Sequence, residues 1–260
     1  MMLALDRTVG STAFGTDVAG YAAGRLDYPE ALFEILADRC GLEPGARVLE
    51  IGPGTGQATR RLLDAGASVT AVEPDPALAG HLRGWDEERL TVDCRMFGEQ
   101  VQEDHAFDLI VAATAFHWLE AGPALAQVKR LLRPGGAFAM WWNVFHEAGE
   151  DPLFEALFDG LARPPSLLSG QHYSLDADAR CADLAAAGLQ QVSHVMLARR
   201  LEMTPASLRA LFSTFSAVRQ LPPVERAVRL DAVEAMALRD RGERFERVFR
   251  TPLYTARTPG

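Results

Sequence analysis

The 260-residue chain is short of cysteine, of basic charge and of long apolar runs, and each shortage excludes a class of protein. Its three cysteines, Cys40, Cys94 and Cys181, are odd in number and lack CxxC spacing. A disulfide scaffold and a zinc site are therefore excluded, and the pattern suits a reducing, cytoplasmic compartment. Lys and Arg together number 26 against 35 Asp and Glu, a net charge of -9. A nucleic-acid partner is not expected, because phosphate backbones are held by clustered cations. No stretch approaches the ~18 consecutive apolar residues of a membrane helix. Met1 to Thr12 carries Asp6 and Arg7 and lacks a signal-peptide apolar run, so no membrane association is expected. Hydrophobic residues at 48% with charged residues at 23% then describe a soluble globular enzyme and exclude disorder.

What is present is alternation. The sequence predicts strands at 47–51, 68–73, 90–94, 107–112 and 137–142, with helices at 57–65, 77–83 and 122–131 between them. Apolar runs alternating with helices indicate a parallel sheet covered on both faces, a doubly wound α/β fold. Beyond Asn143 a helix from Pro152 to Leu161 aligns Leu153, Phe154, Leu157, Phe158 and Leu161. A helix over 176–187, a strand over 191–202, helices over 205–216 and 223–241, and a strand near 246–257 complete the reading. We see no internal repeat or low-complexity segment.

The stretch Glu50-Ile51-Gly52-Pro53-Gly54-Thr55-Gly56 lies between a predicted strand and helix, where such sheets bind cofactors. Glycines there allow a tight turn and close backbone approach. Their GxGxG spacing differs from the GxGxxG of dinucleotide folds. Glu50 would repel a pyrophosphate but suits an ammonium group, and Glu73, at the end of the second strand, is placed to accept from two ribose hydroxyls. A ribose, a cationic amino-acid end and no phosphate describe S-adenosylmethionine (SAM).

With these residues the chain resembles the class I SAM-dependent methyltransferases. Glu50 to Gly56 is similar to that family's first motif, Glu73 to its acidic residue, and Leu131-Leu132-Arg133-Pro134-Gly135-Gly136 to its turn before strand five. Phe14, Ala19, Tyr21, Arg25, Tyr28 and Pro29, with Ala113-Thr114-Ala115-Phe116-His117-Trp118, resemble the small-molecule branch that includes trans-aconitate methyltransferase. Relatives often have proline after the leading arginine, where this chain has Leu26 and Asp27. The resemblance implies a seven-stranded, mostly parallel sheet. It implies a cofactor-covering helical segment over 1–43 and a core over 44–260, with cap insertions at about 150–175 and 204–242. It further implies that Gly52, Pro53, Gly54 and Gly56 line the methionine moiety, that Glu73 and Pro74 meet the ribose, and that Met96 and Phe97 flank the adenine, with Ala113 nearby. Tyr21 and Arg25, four apart, share a helical face. Arg25 would neutralise the cofactor carboxylate while Tyr21 covers its methionine end; alternatively Arg25 is a surface residue beside a packed tyrosine.

His117, Trp118, Trp142, Asn143 and His146 follow strands four and five and are the substrate-side candidates. His117 could serve as a general base, since imidazole titrates near neutrality, or with Trp118 could simply shape the wall. His146 and His172 also read as plain loop histidines. Strand four ends without a carboxylate, so no metal is expected. The expected reaction methylates an oxygen, less readily carbon or nitrogen, of a small organic molecule and leaves S-adenosylhomocysteine (SAH). The alternative is a SAM-fold protein that binds its cofactor without transferring methyl. A nicotinamide oxidoreductase is opposed by the glycine spacing and Glu50. A monomer or homodimer fits either reading.

Overall fold

The computed structural model describes residues 17–99, 102–145, 151–161 and 172–260. Helices α1 (Val18–Gly24) and α2 (Glu30–Cys40) precede β1 (Arg47–Ile51), α3 (Gln57–Asp64), β2 (Ser68–Val72), α4 (Pro76–Arg83) and β3 (Leu90–Asp93). There follow β4 (Phe107–Ala113), a 3-10 turn (Phe116–Trp118), α5 (Ala121–Leu131), β5 (Leu132–Trp141), α6 (Pro152–Phe158), α7 (Ala177–Ala186) and β6 (Gln190–Met203). Helices α8 (Pro205–Ser213), α9 (Ser216–Arg219) and α10 (Pro223–Arg241) lead into β7 (Phe245–Arg257).

The seven strands form one sheet in the order β3-β2-β1-β4-β5-β7-β6. Strands β1 to β5 pair in parallel, and β7 runs antiparallel between β5 and β6. Period-2 alternation sends Leu49, Ile51, Ile110, Ala112, Phe138 and Met140 to one face, against α5 and α7. Val48, Leu109, Val111, Ala137, Ala139 and Trp141 go to the other, against α2 and α3. Because both faces are buried, the strands are apolar throughout. Strand order reverses between β2-β1 and β4-β5, which opens a crevice at the carboxyl ends of β1 and β4. At the opposite end Asp108 accepts hydrogen bonds from Arg47 (backbone N, 2.8 Å) and from Arg133 Nε (2.7 Å), joining the starts of β1, β4 and β5.

A third apolar cluster is separate from these two. It joins α6, α8, α9 and α10 to Met203 and Phe249, near the ends of β6 and β7 that extend past the core strands. The expected helix over 205–216 is broken. Thr214 Oγ1 donates back to Leu211 O (2.6 Å), and Phe215 takes an extended conformation (φ -75°, ψ 136°). Its ring thereby joins Phe145, Phe154, Phe158 and Phe212. Burial of that aromatic surface outweighs the lost helical turn. Strand β5 begins earlier than expected because Arg133 to Gly136 form a bulge, the register jumping from Phe107↔Leu132 to Leu109↔Ala137. Among the described residues no helix is long and apolar enough to cross a membrane.

Candidate active site

The crevice holds a cavity walled on one side by the β1 and β2 loops and on the other by the helical cluster. The chain turns at Gly52 and Gly54, both at φ +62°, a backbone region that side-chain-bearing residues avoid. A Cβ on Gly52 would stand 2.8 Å from Ala115 Cβ, so glycine also keeps the β1 and β4 loops close. Gly54 N–H donates to Glu73 Oε2 (3.0 Å), and Asp75 N–H donates to Glu73 Oε1 (2.9 Å). These bonds fix the carboxylate at the end of β2, in the cavity wall. Burial pushes its pKa up to about 7 despite those two donors. Asp75 also caps α4, accepting from Ala77 N (2.9 Å), with Pro76 at the first helical position.

Three expected cofactor or substrate residues stand elsewhere. Glu50 is fully buried and does not line the cavity; Thr59 of α3 donates to its Oε2 at 2.6 Å. It bridges β1 to α3 beneath the glycine loop, and its buried Oε1 has no hydrogen-bond partner among the described residues. Burial first, and the Glu73 charge in addition, raise its pKa to about 7, while the Thr59 hydrogen bond opposes the shift. Gly56, at φ +86°, is likewise off the cavity surface: a Cβ there would overlap Trp85, so it serves packing of α3 against the end of α4. Trp142 is fully buried behind the wall, where Tyr173 and Tyr254 enclose its indole. His146 lies outside the described residues, as does Phe14.

The cavity does bring together Tyr21, Arg25, Gly52, Pro53, Gly54, Glu73, Pro74, Met96, Phe97, Ala113, His117, Trp118 and Asn143. Arg25 follows the last turn of α1. Its Nη2 donates to Thr214 O (3.2 Å), and the guanidinium lies over the rings of Tyr21 (4.8 Å), Phe145 (5.7 Å) and Phe215 (6.0 Å). It thus ties the leading helix to the cap. Asn143 spends its polar atoms on structure. Its amide donates to Leu26 O (3.1 Å), and its carbonyl accepts from Thr251 Oγ1 (2.9 Å).

Several lining residues carried no distinct signal in the sequence. Phe154, Phe158 and Phe215 read as core-facing helix residues, yet each also reaches the cavity. His172 lines it too, besides accepting from Ser174 N–H at 3.2 Å. Thr114, at the end of β4, has φ +57°, a strained conformation for a β-branched residue. Its hydroxyl pairs with Tyr28 OH at 2.9 Å, and both line the cavity. Burial raises the Tyr28 pKa well above its ordinary value, so the pair stays neutral. No pattern announces a threonine at positive φ, because its propensity opposes that state. Finally, Trp142 Nε1–H donates to His117 Nδ1 at 3.0 Å, and the His117 ring packs on Trp118 (4.9 Å).

This arrangement can take a flat ring near Met96 and Phe97, a diol at Glu73 and an anionic end near Arg25, whose buried Nε has no hydrogen-bond partner among the described residues. Known proteins resemble the chain. The family described as "Methyltransferase domain" matches residues 49–140. An uncharacterized methyltransferase of Bacillus subtilis is 32% identical over 163 residues, 58% of this chain and 75% of the relative. The chain belongs to the class I SAM-dependent methyltransferases. An uncharacterized methyltransferase of Mycobacterium tuberculosis is 35% identical over 53% of this methyltransferase chain. The chain spans 54% of that relative's length, about half. A phosphoethanolamine N-methyltransferase of Haemonchus contortus, solved with SAM bound, shares the fold at TM-score 0.56 and 15% identity. The likeness covers 95% of this chain and 57% of that one. As a member of this SAM-dependent family, the chain has SAM as its cofactor.

Proposed function

We propose that the chain methylates an oxygen, carboxylate or hydroxyl, of a small and largely apolar organic molecule, without a metal and with SAH as by-product. The observation that carries this reading is the continuity of one cavity across two chemistries. Gly52, Gly54, Glu73, Met96 and Phe97 form one half; Phe145, Phe154, Phe158 and Phe215 roof the other. When bound, the cofactor supplies a methyl carbon already activated by its sulfonium. The protein's residues then have three tasks. Tyr21, Arg25, Pro53, Pro74 and Ala113 would join the glycines and Glu73 in orienting that group. The aromatic roof excludes water and favours an apolar substrate body. His117, Tyr28 and Thr114 offer the polar contacts that fix the acceptor, with Trp118 beside them. Orientation of this kind alone lowers a displacement barrier by ~7–11 kcal/mol.

Among the described residues, α1, the stretch 25–28 and helices α6 and α8 to α10 would form the cover of this site. A small-molecule substrate also fits the charge of -9, which disfavours nucleic acid. The Haemonchus enzyme acts on nitrogen, so the acceptor atom is the part of the proposal that most needs experiment.

The test is incubation with methyl-labelled SAM and panels of aromatic acids, phenols and amines, followed by chromatography. Label entering an ester or ether supports the proposal. Label confined to amines would overturn the oxygen acceptor. Tight SAM binding with no product from any panel would favour a cofactor-binding protein without methyl transfer.

A further inference from the structure

An indole N–H only donates, so His117 Nδ1, 3.0 Å from Trp142 Nε1, must accept. A neutral imidazole carries one proton, and with Nδ1 accepting, that proton resides on Nε2. Placing a proton on Nδ1 would set two N–H groups head to head. The indole cannot turn away: Trp142 is fully buried, with Tyr173 at 5.7 Å and Tyr254 at 6.3 Å across its faces and edges. Tyr254 is itself anchored, its hydroxyl donating to Ser174 O at 2.6 Å.

We propose that Trp142 is a positioning residue that fixes His117 as a neutral Nε2–H donor, and that His117 holds an acceptor oxygen of the substrate without taking its proton. His117 lines the cavity, and with Nδ1 accepting from the indole, Nε2–H is the ring proton it can share with a ligand there. The inference rests on the methyl-transfer reading above and changes the part a histidine would ordinarily play in it. Among the described residues the other titratable groups of the wall are Tyr21, Arg25, Tyr28, Glu73 and His172. Tyr28 is a phenol kept protonated by burial, and Glu73 is engaged by two backbone donors. A substrate for this site presents one oxygen to His117 as an acceptor. Its nucleophilic atom either arrives already deprotonated or gives its proton to water.

The direct test needs no substrate. Two-bond proton–nitrogen correlation on the full chain with nitrogen-15 histidine, at pH 7.5 and with SAH added, reads the tautomer. The His117 signals are assigned by their loss in His117→Gln. A bare Nδ1 and protonated Nε2 in the wild type, with mixing of tautomers in Trp142→Phe, are expected. A protonated Nδ1 in the wild type would overturn the proposal even if the variant failed to fold. With a substrate from the screen, His117→Ala should raise KM about tenfold with kcat little changed, as loss of one uniform hydrogen bond does. His117→Gln, which keeps a donor, should recover most of that loss. A fall of ~10²–10⁴-fold in kcat in both variants would instead mark a general base. SAH binding measured on the same samples separates the two claims: lost binding in the wild type would refute the methyltransferase reading, whatever the tautomer.

Discussion

Glu50 and Glu73 carry the clearest electrostatic signature at the scale of single residues. Both carboxyls are raised to about 7, in each case chiefly by burial. A carboxyl whose folded pKa exceeds its unfolded value binds its proton more tightly in the native state. The stability it contributes is complete below about 4.5 and is lost as pH rises through about 7. The ligand-free protein should therefore melt higher at pH 5.5 than at pH 8. Glu50→Gln, which removes the buried charge and keeps the Thr59 partner's geometry, should flatten that dependence; scanning fluorimetry across the range checks it. A variant with the wild-type slope would show that Glu50 is not the source. Tyr28→Phe tests the strained Thr114 pair: if the pair serves the acceptor as proposed, substrate turnover should fall while SAM affinity stays within about twofold. An equal fall in SAM affinity would place the pair in the cofactor site instead. That Gly52, Gly54 and Glu73 line one cavity was legible, because a tight turn after a strand and an acidic residue ending the next one place them together. The separation of Glu50, Gly56 and Trp142 from the cavity was not legible. Burial behind a wall and exposure on it leave the same residue in the sequence.

Elements show the same division. Strands β1 to β4 and helices α3 to α5 follow from apolar runs bounded by glycine and proline, and their ends lie within a residue or two of expectation. The break at Thr214 and Phe215 and the bulge at Arg133 to Gly136 follow from tertiary contacts, which local periodicity does not contain. The packing of α1 on α8 is another such contact. Gly24 is buried at the end of α1, and a Cβ there would overlap Ala210 O and lie 2.6 Å from Thr214 Cγ2. Gly24→Ala should push α1 away and shift Tyr21 and Arg25. We expect SAM affinity to drop about tenfold by calorimetry, with the melting temperature of the sheet core nearly unchanged. Unchanged affinity would mean that α1 contributes nothing to holding the cofactor.

The whole molecule consists of a sheet with two apolar faces and a third, separate cluster of α6, α8, α9 and α10. Hydrogen exchange should be slowest in β1, β4 and β5, whose residues are buried on both faces, and faster in the cap helices. Adding SAH should slow exchange in α1, in residues 52–56 and in 94–97, and leave the distant Arg47–Asp108–Arg133 end unaffected. Protection spread uniformly over the chain would contradict a site confined to the crevice. The most direct test of the account is calorimetric titration of the purified protein with SAM, beside Glu73→Ala. Saturable binding at one site, lost in the variant while its fold is retained, is the predicted result. Absence of binding by well-folded wild-type protein, or undiminished binding by the variant, would contradict it.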